Sequence, residues 1–486
     1  MLTHSLRRSA LPLILLPALV LLAGCGDEPA ATAKPAPFAS TYKPLPSKPT
    51  LLRNATVLIG NGQQLDNASV LLQDGKIVAV GSDVKAPDGA DIIDASGKWV
   101  TPGIIDVHSH LGVYPSPALT ASEDGNEMVA PDTAYAWAEH AVWPQDPQFP
   151  LALAGGVTSM QILPGSANLF GGRSVTLKNV PARTVQQMKF PGAPYGLKMA
   201  CGENPKRVYG EKGGPMTRMG NVAGYRKSWI EAAKYLKDWK AYEDALAAAE
   251  GNEAAVADKM PQRDLRLETL AGVLKGEILV QNHCYRADEM AVMIDIAKEF
   301  GFKITAFHHA VEAYKVADLL AENNICAAVW ADWWGFKQEA YDMTLENAAF
   351  VDKARATVTV DGKEQQRVGC AIIHSDSALG IQRLNQEAAK AMVAGRRAGI
   401  DISEAQAMRW LTENAAKALG IADKVGTLEQ GKMADVVLWD RSPFSVYAHA
   451  EKVFIDGALM YDRNNKQQQA ATDFELGIVK PEGERL

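Results

Sequence analysis

The chain has 486 residues, 47% hydrophobic and 22% charged, an ordinary balance for a soluble globular protein. That length allows roughly two to four domain-sized units. A net charge of −7 argues against nucleic acid as a main partner.

The first element is a leader. Arg7 and Arg8 precede an apolar run from Leu11 to Leu22 that is short for a membrane span and broken by Pro12 and Pro17. Its end, Leu22-Ala23-Gly24-Cys25, resembles a bacterial lipobox. That resemblance implies cleavage before Cys25, so residues 1–24 are expected to be a lipoprotein signal peptide and Cys25 the lipidated residue. The Pro-, Ala- and Ser-rich stretch 25–49 reads as a flexible tether. The expected place is the bacterial cell envelope, facing the periplasm, with a membrane partner through the anchor at Cys25. Gly26 carries no Asp-type retention signal, which favours the outer membrane.

Residues 50–100 read as short strands punctuated by Gly, Asn and Asp-Gly, with "DGKI" as a hairpin signal. A similar strand-rich texture returns over 426–470, before a tail at 471–486. Between them, over 101–425, apolar strand-like runs alternate with helical patterns, which argues for a parallel barrel. An Ala-, Lys- and Glu-rich helical insertion is expected at about 224–275. Cys201, Cys284, Cys326 and Cys370 lie far apart without metal-type spacing. An oxidising compartment would allow a disulfide, which the sequence cannot pair; each cysteine sits in or beside an apolar run, so buried free thiols are the preferred expectation.

The chemistry-bearing residues fall at the ends of the apolar runs. "GIIDVHSH" ends in His108 and His110, which a strand projects to one face. His283 ends "EILVQNH", His308 and His309 end "FKITAFHH", and Asp376 ends "GCAIIHSD". In a barrel the carboxyl ends of the strands share one mouth. Imidazoles and a carboxylate gathered there point to a divalent metal.

These segments, with "GGVTSMQILPG", "HHAVEAYKVADLL" and "TENAAKALGIADKVGTLEQGKMADVVLWD", resemble the amidohydrolase superfamily, close to its imidazolonepropionase-like branch, over residues 50 to about 465. The resemblance implies an α/β fold: a (β/α)8 TIM-type metal-dependent hydrolase barrel with a small β-sandwich formed by both chain ends. His108, His110, His283, His309 and Asp376 match the metal ligands. His309 is preferred over His308 because "HAVEAYK" fits the family pattern, which leaves His308 as a hydrogen-bonded neighbour. A bridging ligand is implied in "YGLKMACGENPK". Glu203, already a carboxylate, is preferred there to Lys198, which must lose a proton and be carbamylated. One or two zinc ions are implied, with Fe, Mn or Co as alternatives.

A metal-activated water would then attack a C–N bond of an amide, cyclic amide or dipeptide-like small molecule. Asp376 acts as general base and then acid, with His309 beside it. Tyr285, Arg286, Arg207 and Arg218 are the candidate substrate contacts. Trp330, Trp333 and Trp334 either pack in the core or line a pocket. Deamination of a heterocycle is the first alternative; relatives of that kind place Glu three residues after the fifth-strand histidine, where this chain has Arg286. A non-catalytic surface-binding lipoprotein is the second. A homo-oligomer is compatible with all three.

Overall fold

The structure is a computed structural model that describes residues 37–465. The expected signal peptide, Cys25, the first half of the tether and the tail lie outside the described residues. Among the described residues no helix is long and apolar enough to cross a membrane.

In chain order the strands are β1 (Thr50–Leu58), β2 (Gln64–Gln73), β3 (Lys76–Gly81), β4 (Asp91–Asp94), β5 (Trp99–Pro102), β6 (Ile104–Ser109), β7 (Val157–Ile162), β8 (Phe170–Lys178) and β9 (Gly196–Ala200). Then follow β10 (Leu279–Cys284), β11 (Ile304–His309), β12 (Cys326–Val329), β13 (Arg355–Val360), β14 (Lys363–Val368), β15 (Cys370–Ile373), β16 (Val436–Trp439), β17 (Ala450–Ile455) and β18 (Ala458–Asp462). They form two large sheets and one hairpin.

The first sheet joins the two chain ends in the order β18-β17-β16-β5-β1-β2-β3, with β4 beside β1. Its hydrogen bonding is that of one connected sheet, where a sandwich was expected. Leu52, Val57, Val70, Leu72, Val436 and Phe454 give it an apolar core of its own. Two of its hairpins turn on Asp-Gly. Asp74-Gly75 and Asp456-Gly457 both hold positive φ at both positions, the geometry whose twist matches the flanking strands.

The second sheet is the barrel, in the order β6-β7-β8-β9-β10-β11-β12-β15. Most of its strands are buried along their whole length, as strands covered on both faces must be. The helix Ala287–Phe300 shows how the outside is covered. It buries Met290, Met293, Ile294 and Ala297 and stops at Gly301, whose φ of +76° makes the left-handed cap.

One barrel strand departs from the (β/α)8 expectation. β8 runs antiparallel to both β7 and β9. The connection over 163–169 is too short for a parallel crossover, which needs roughly a dozen residues or more. The chain therefore doubles back as a hairpin. Between β9 and β10 lie the long helix Arg218–Ala248 and the helix Leu265–Leu274.

The barrel closes between β15 and β6 by an irregular seam. The Asp376 N–H donates to His108 O at 2.9 Å, and the Ser375 N–H donates to the Asp106 carboxylate at 3.2 Å. Ser375 Oγ donates to the same carboxylate. Lower down, Ile105 and Ile373 donate instead to Leu411 O and Trp410 O, so a turn from outside the sheet fills the gap.

The four cysteines form two disulfides, Cys201–Cys284 and Cys326–Cys370, which corrects the free-thiol expectation. Cys326 and Cys370 are direct register partners on β12 and β15, with Cα atoms 4.5 Å apart. Cys201 follows β9 and Cys284 ends the neighbouring β10.

Candidate metal centre

The strand ends bring His108, His110, Lys198, His283, His309 and Asp376 to one place. His108 Nε2 and His110 Nε2 lie 3.4 and 3.1 Å from Asp376 Oδ1. His309 Nδ1 is 3.9 Å from Asp376 Oδ2. The His283 and His309 rings meet edge to face, 4.5 Å between centroids. Donor atoms of His108, His110 and Asp376 lie within 4.8 Å of one another, as do those of His108, His309 and His374.

The backbone is bent to achieve this. His309, Ala310 and Asp376 hold φ of +68°, +38° and +49°. Side chains other than glycine rarely adopt such angles, and strain of this kind concentrates at functional sites.

The tautomers of the first-strand histidines follow from their partners. His110 Nδ1 faces the Leu163 carbonyl at 2.9 Å, so it carries the proton and leaves Nε2 bare. For His108 the chain of reasoning starts at a backbone carbonyl. Gln281 Nε2 donates to Ala418 O at 2.9 Å, which fixes the amide so that Oε1 faces His308 Nε2 at 2.8 Å. His308 therefore protonates Nε2 and accepts at Nδ1. Its acceptor meets His108 Nδ1 at 2.9 Å, which must carry the proton. His108 Nε2 is thereby bare as well. Two unprotonated ring nitrogens and a carboxylate oxygen converge with no proton among them, an arrangement that calls for a cation.

Lys198 comes from β9 and is fully buried. Its Nζ lies 3.0 Å from Pro164 O and 3.4 Å from His108 Nε2. Burial lowers its pKa to about 7, so a large share of it is the neutral amine. Glu203 has a different setting. It opens the helix Glu203–Tyr209, pairs with Lys337 at 3.5 Å, and its N–H donates to Glu339. Of the two candidate bridges, the geometry puts Lys198 against a first-strand histidine and Glu203 against a lysine at the rim.

The substrate-contact candidates divide. Tyr285 is buried beside His283 and His309, with ring centroids at 4.6 and 5.3 Å. Arg286 turns to its own helix and pairs with Asp288 at 2.9 Å. Arg207 is exposed on the helix Glu203–Tyr209. Arg218 is held by Glu289 at 3.1 Å and by Glu339. Arg286 and Arg218 are therefore held by carboxylates outside the metal cluster, and Arg207 is open to solvent.

His374 belongs to the cluster and was overlooked in the sequence. Its Nε2 accepts the His309 N–H at 3.3 Å, and its ring stacks on His108 at 5.1 Å. The signal was there in "IIHSD", a histidine two residues before Asp376 at the same strand end.

Comparison with known proteins agrees with this geometry. The profile of the Amidohydrolase family matches residues 281–467. The solved structure of an amidohydrolase from Thermotoga maritima is 35% identical, covering 85% of this chain and all of that one with a TM-score of 0.73. Amidohydrolase tasK of Hapsidospora irregularis is 33% identical over 449 residues, 85% of this chain but only 43% of its own length. This chain therefore spans less than half of that relative. An imidazolonepropionase of Mesorhizobium japonicum is 26% identical over 401 residues, 77% of this chain and 87% of that protein. The chain belongs to the amidohydrolase family. That membership supports a hydrolase acting on carbon–nitrogen bonds.

Proposed function

We propose that the protein is a metal-dependent amidohydrolase that cleaves the C–N bond of an amide, cyclic amide or dipeptide-like small molecule. The observation that carries this reading is the convergence of bare His108 Nε2 and His110 Nε2 on Asp376. The donor set fits a divalent metal. Buried His283 Nδ1 and His309 Nδ1 also lack a hydrogen-bond partner among the described residues. His108, His110, His283, His309 and Asp376 would hold the metal, and imidazole with carboxylate suits zinc, with Fe, Mn or Co as alternatives. When bound, such a metal supplies Lewis acidity toward a carbonyl and toward water.

The chain's own groups do the rest. Asp376 is the base that takes a proton from water and returns it to the leaving nitrogen. Its strained backbone keeps the carboxylate turned toward the histidines. Trp330 stacks on His309 at 4.3 Å and shields that ring from solvent.

For the bridge we prefer Lys198, reversing the sequence-based preference for Glu203. The neutral Nζ adds to carbon dioxide, forming one N–C bond and releasing one proton, to give a carbamate. Deamination loses support, because Arg286 stands where a proton-handling glutamate would be needed. Export is proposed on the lipobox-like segment, and two disulfides suit an oxidising compartment.

Metal per chain, measured on residues 26–486, tests the site together with hydrolysis of a panel of amides. Lys198→Ala is expected to lose metal, and Glu203→Ala to retain it. Full metal content in Lys198→Ala would remove the bridge. No amide hydrolysis by metal-loaded protein would remove the reaction.

A further inference from the structure

Beside the metal cluster, the loop after β12 carries "WADWWGFK", residues 330–337. Trp330 is buried and fixed, stacked on His309 and donating its Nε1–H to Ser375 O at 3.3 Å. Trp333 lies over it at 5.7 Å and 31°, and Phe336 meets it edge-on at 5.8 Å and 76°. Tyr285 completes the array 6.1 Å from Trp330. The rings line an open pocket that Trp334, Asp332 and Asp376 also border.

The outer rings are open to solvent. Trp333, Trp334 and Phe336 are 37%, 52% and 58% exposed. Core packing therefore explains Trp330 but not its neighbours. Contiguous exposed aromatic surface is costly and marks a place where something apolar binds. The loop is also held by a hydrogen bond of its own. Gly335, at φ +75°, turns the chain so that its N–H reaches Ala340 O at 2.8 Å. Of the charged groups on this segment, Asp332 is neutralised by Lys390 at 2.9 Å. Lys337 lies over the Tyr285 face at 4.1 Å and donates to Asn204. The walls are thus aromatic, and the reactive carboxylate is at one end.

We propose that this pocket is a specificity subsite for an aromatic side chain carried next to the scissile C–N bond. The inference rests on the hydrolase reading above and deepens it: the substrate class is an amide bearing an aromatic group. The rings already touch one another at aromatic-pair spacing, which fixes the array, and the exposed faces of Trp333, Trp334 and Phe336 can take a flat guest by offset or edge-on contact.

The test uses metal-loaded protein and matched pairs differing only in phenylalanyl against alanyl. Binding of N-acetylphenylalaninamide and N-acetylalaninamide is followed by tryptophan fluorescence. Hydrolysis is followed for phenylalanyl and alanyl dipeptides. The wild type should favour the phenylalanyl member by about 10-fold or more, the range apolar pockets deliver. In Trp334→Ala and in Phe336→Ala that preference, read as the phenylalanyl-to-alanyl ratio, should fall toward parity. Hydrolysis with no aromatic preference, or a preference unchanged in both variants, would overturn the subsite and leave the hydrolase reading intact. Aromatic binding that both variants abolish, with no amide hydrolysed, would keep the subsite and sink the reaction. Absence of preference in both binding and turnover would overturn the subsite.

Discussion

At the scale of single residues, the bare nitrogen of His108 is fixed from a distance. The carbonyl of Ala418 orients Gln281, Gln281 sets the proton on His308, and His308 sets the proton on His108. Partners of this kind typically account for about 10–100-fold in metal affinity. Gln281→Leu keeps the size of the side chain but removes both its donor and its acceptor. We expect it to weaken metal binding by about that factor, measured by competition with a chromogenic chelator. Gln281→Glu restores an acceptor for His308 and should recover part of the loss. If the leucine variant bound metal as tightly as the wild type, the relay would not be what holds His108 in its tautomer. The residues of the relay show what was legible and what was not. "HSH" and "HH" announce ring nitrogens by type and spacing. Gln281 announces nothing, because a glutamine inside an apolar strand acquires its meaning only from the neighbour across the sheet.

At the scale of elements, the strands were legible as apolar runs, and the strand ends as a shared mouth. Their order and direction were less so. β8 is nearly as buried as the parallel strands of the barrel, and the brevity of the segment before it was the one sign that it turns back. The disulfides were hidden for a related reason. β12 and β15 become neighbours only because the β13–β14 hairpin, turned at Asp361-Gly362, leaves the barrel sheet. Separations of 83 and 44 residues give no hint of contact in the sequence. Each bridge closes a long loop of the unfolded chain, so its removal should cost about 2–5 kcal/mol. Cys201→Ala with Cys284→Ala, and Cys326→Ala with Cys370→Ala, are expected to lower urea stability by amounts in that range. Unreduced protein lacking Cys25 should titrate no free thiol in denaturant. Four thiols without reductant would show both bridges absent.

At the scale of the whole molecule, the barrel and the end sheet are joined by a buried ionic cluster. Lys178, at the end of β8, has no solvent exposure. Its Nζ lies 2.8 Å from Asp435 and 3.2 Å from Asp456, residues beside β16 and β17 of the other sheet. Tyr42 donates to Asp456 as well, which brings the segment ahead of β1 into the same contact. Removing one partner of a buried cluster strands the other charges, at a typical cost of about 3–5 kcal/mol. Lys178→Met keeps the apolar stem and deletes the cation, and we expect a loss of that order in equilibrium unfolding at pH 8. The loss should depend on pH in a definite direction. Burial already pushes Asp435 above its ordinary carboxylate value. A group raised in the folded state contributes its full stability below its unfolded pKa and loses it as pH rises through the folded value. Without Lys178 the Asp435 carboxylate rises further, so the folded variant takes up a proton that the unfolded chain does not. The deficit relative to wild type should therefore shrink as pH falls from 8 toward 5. A deficit of constant size over that interval would mean that the variant suffers from altered packing, and that the charge of Lys178 is not what joins the two sheets.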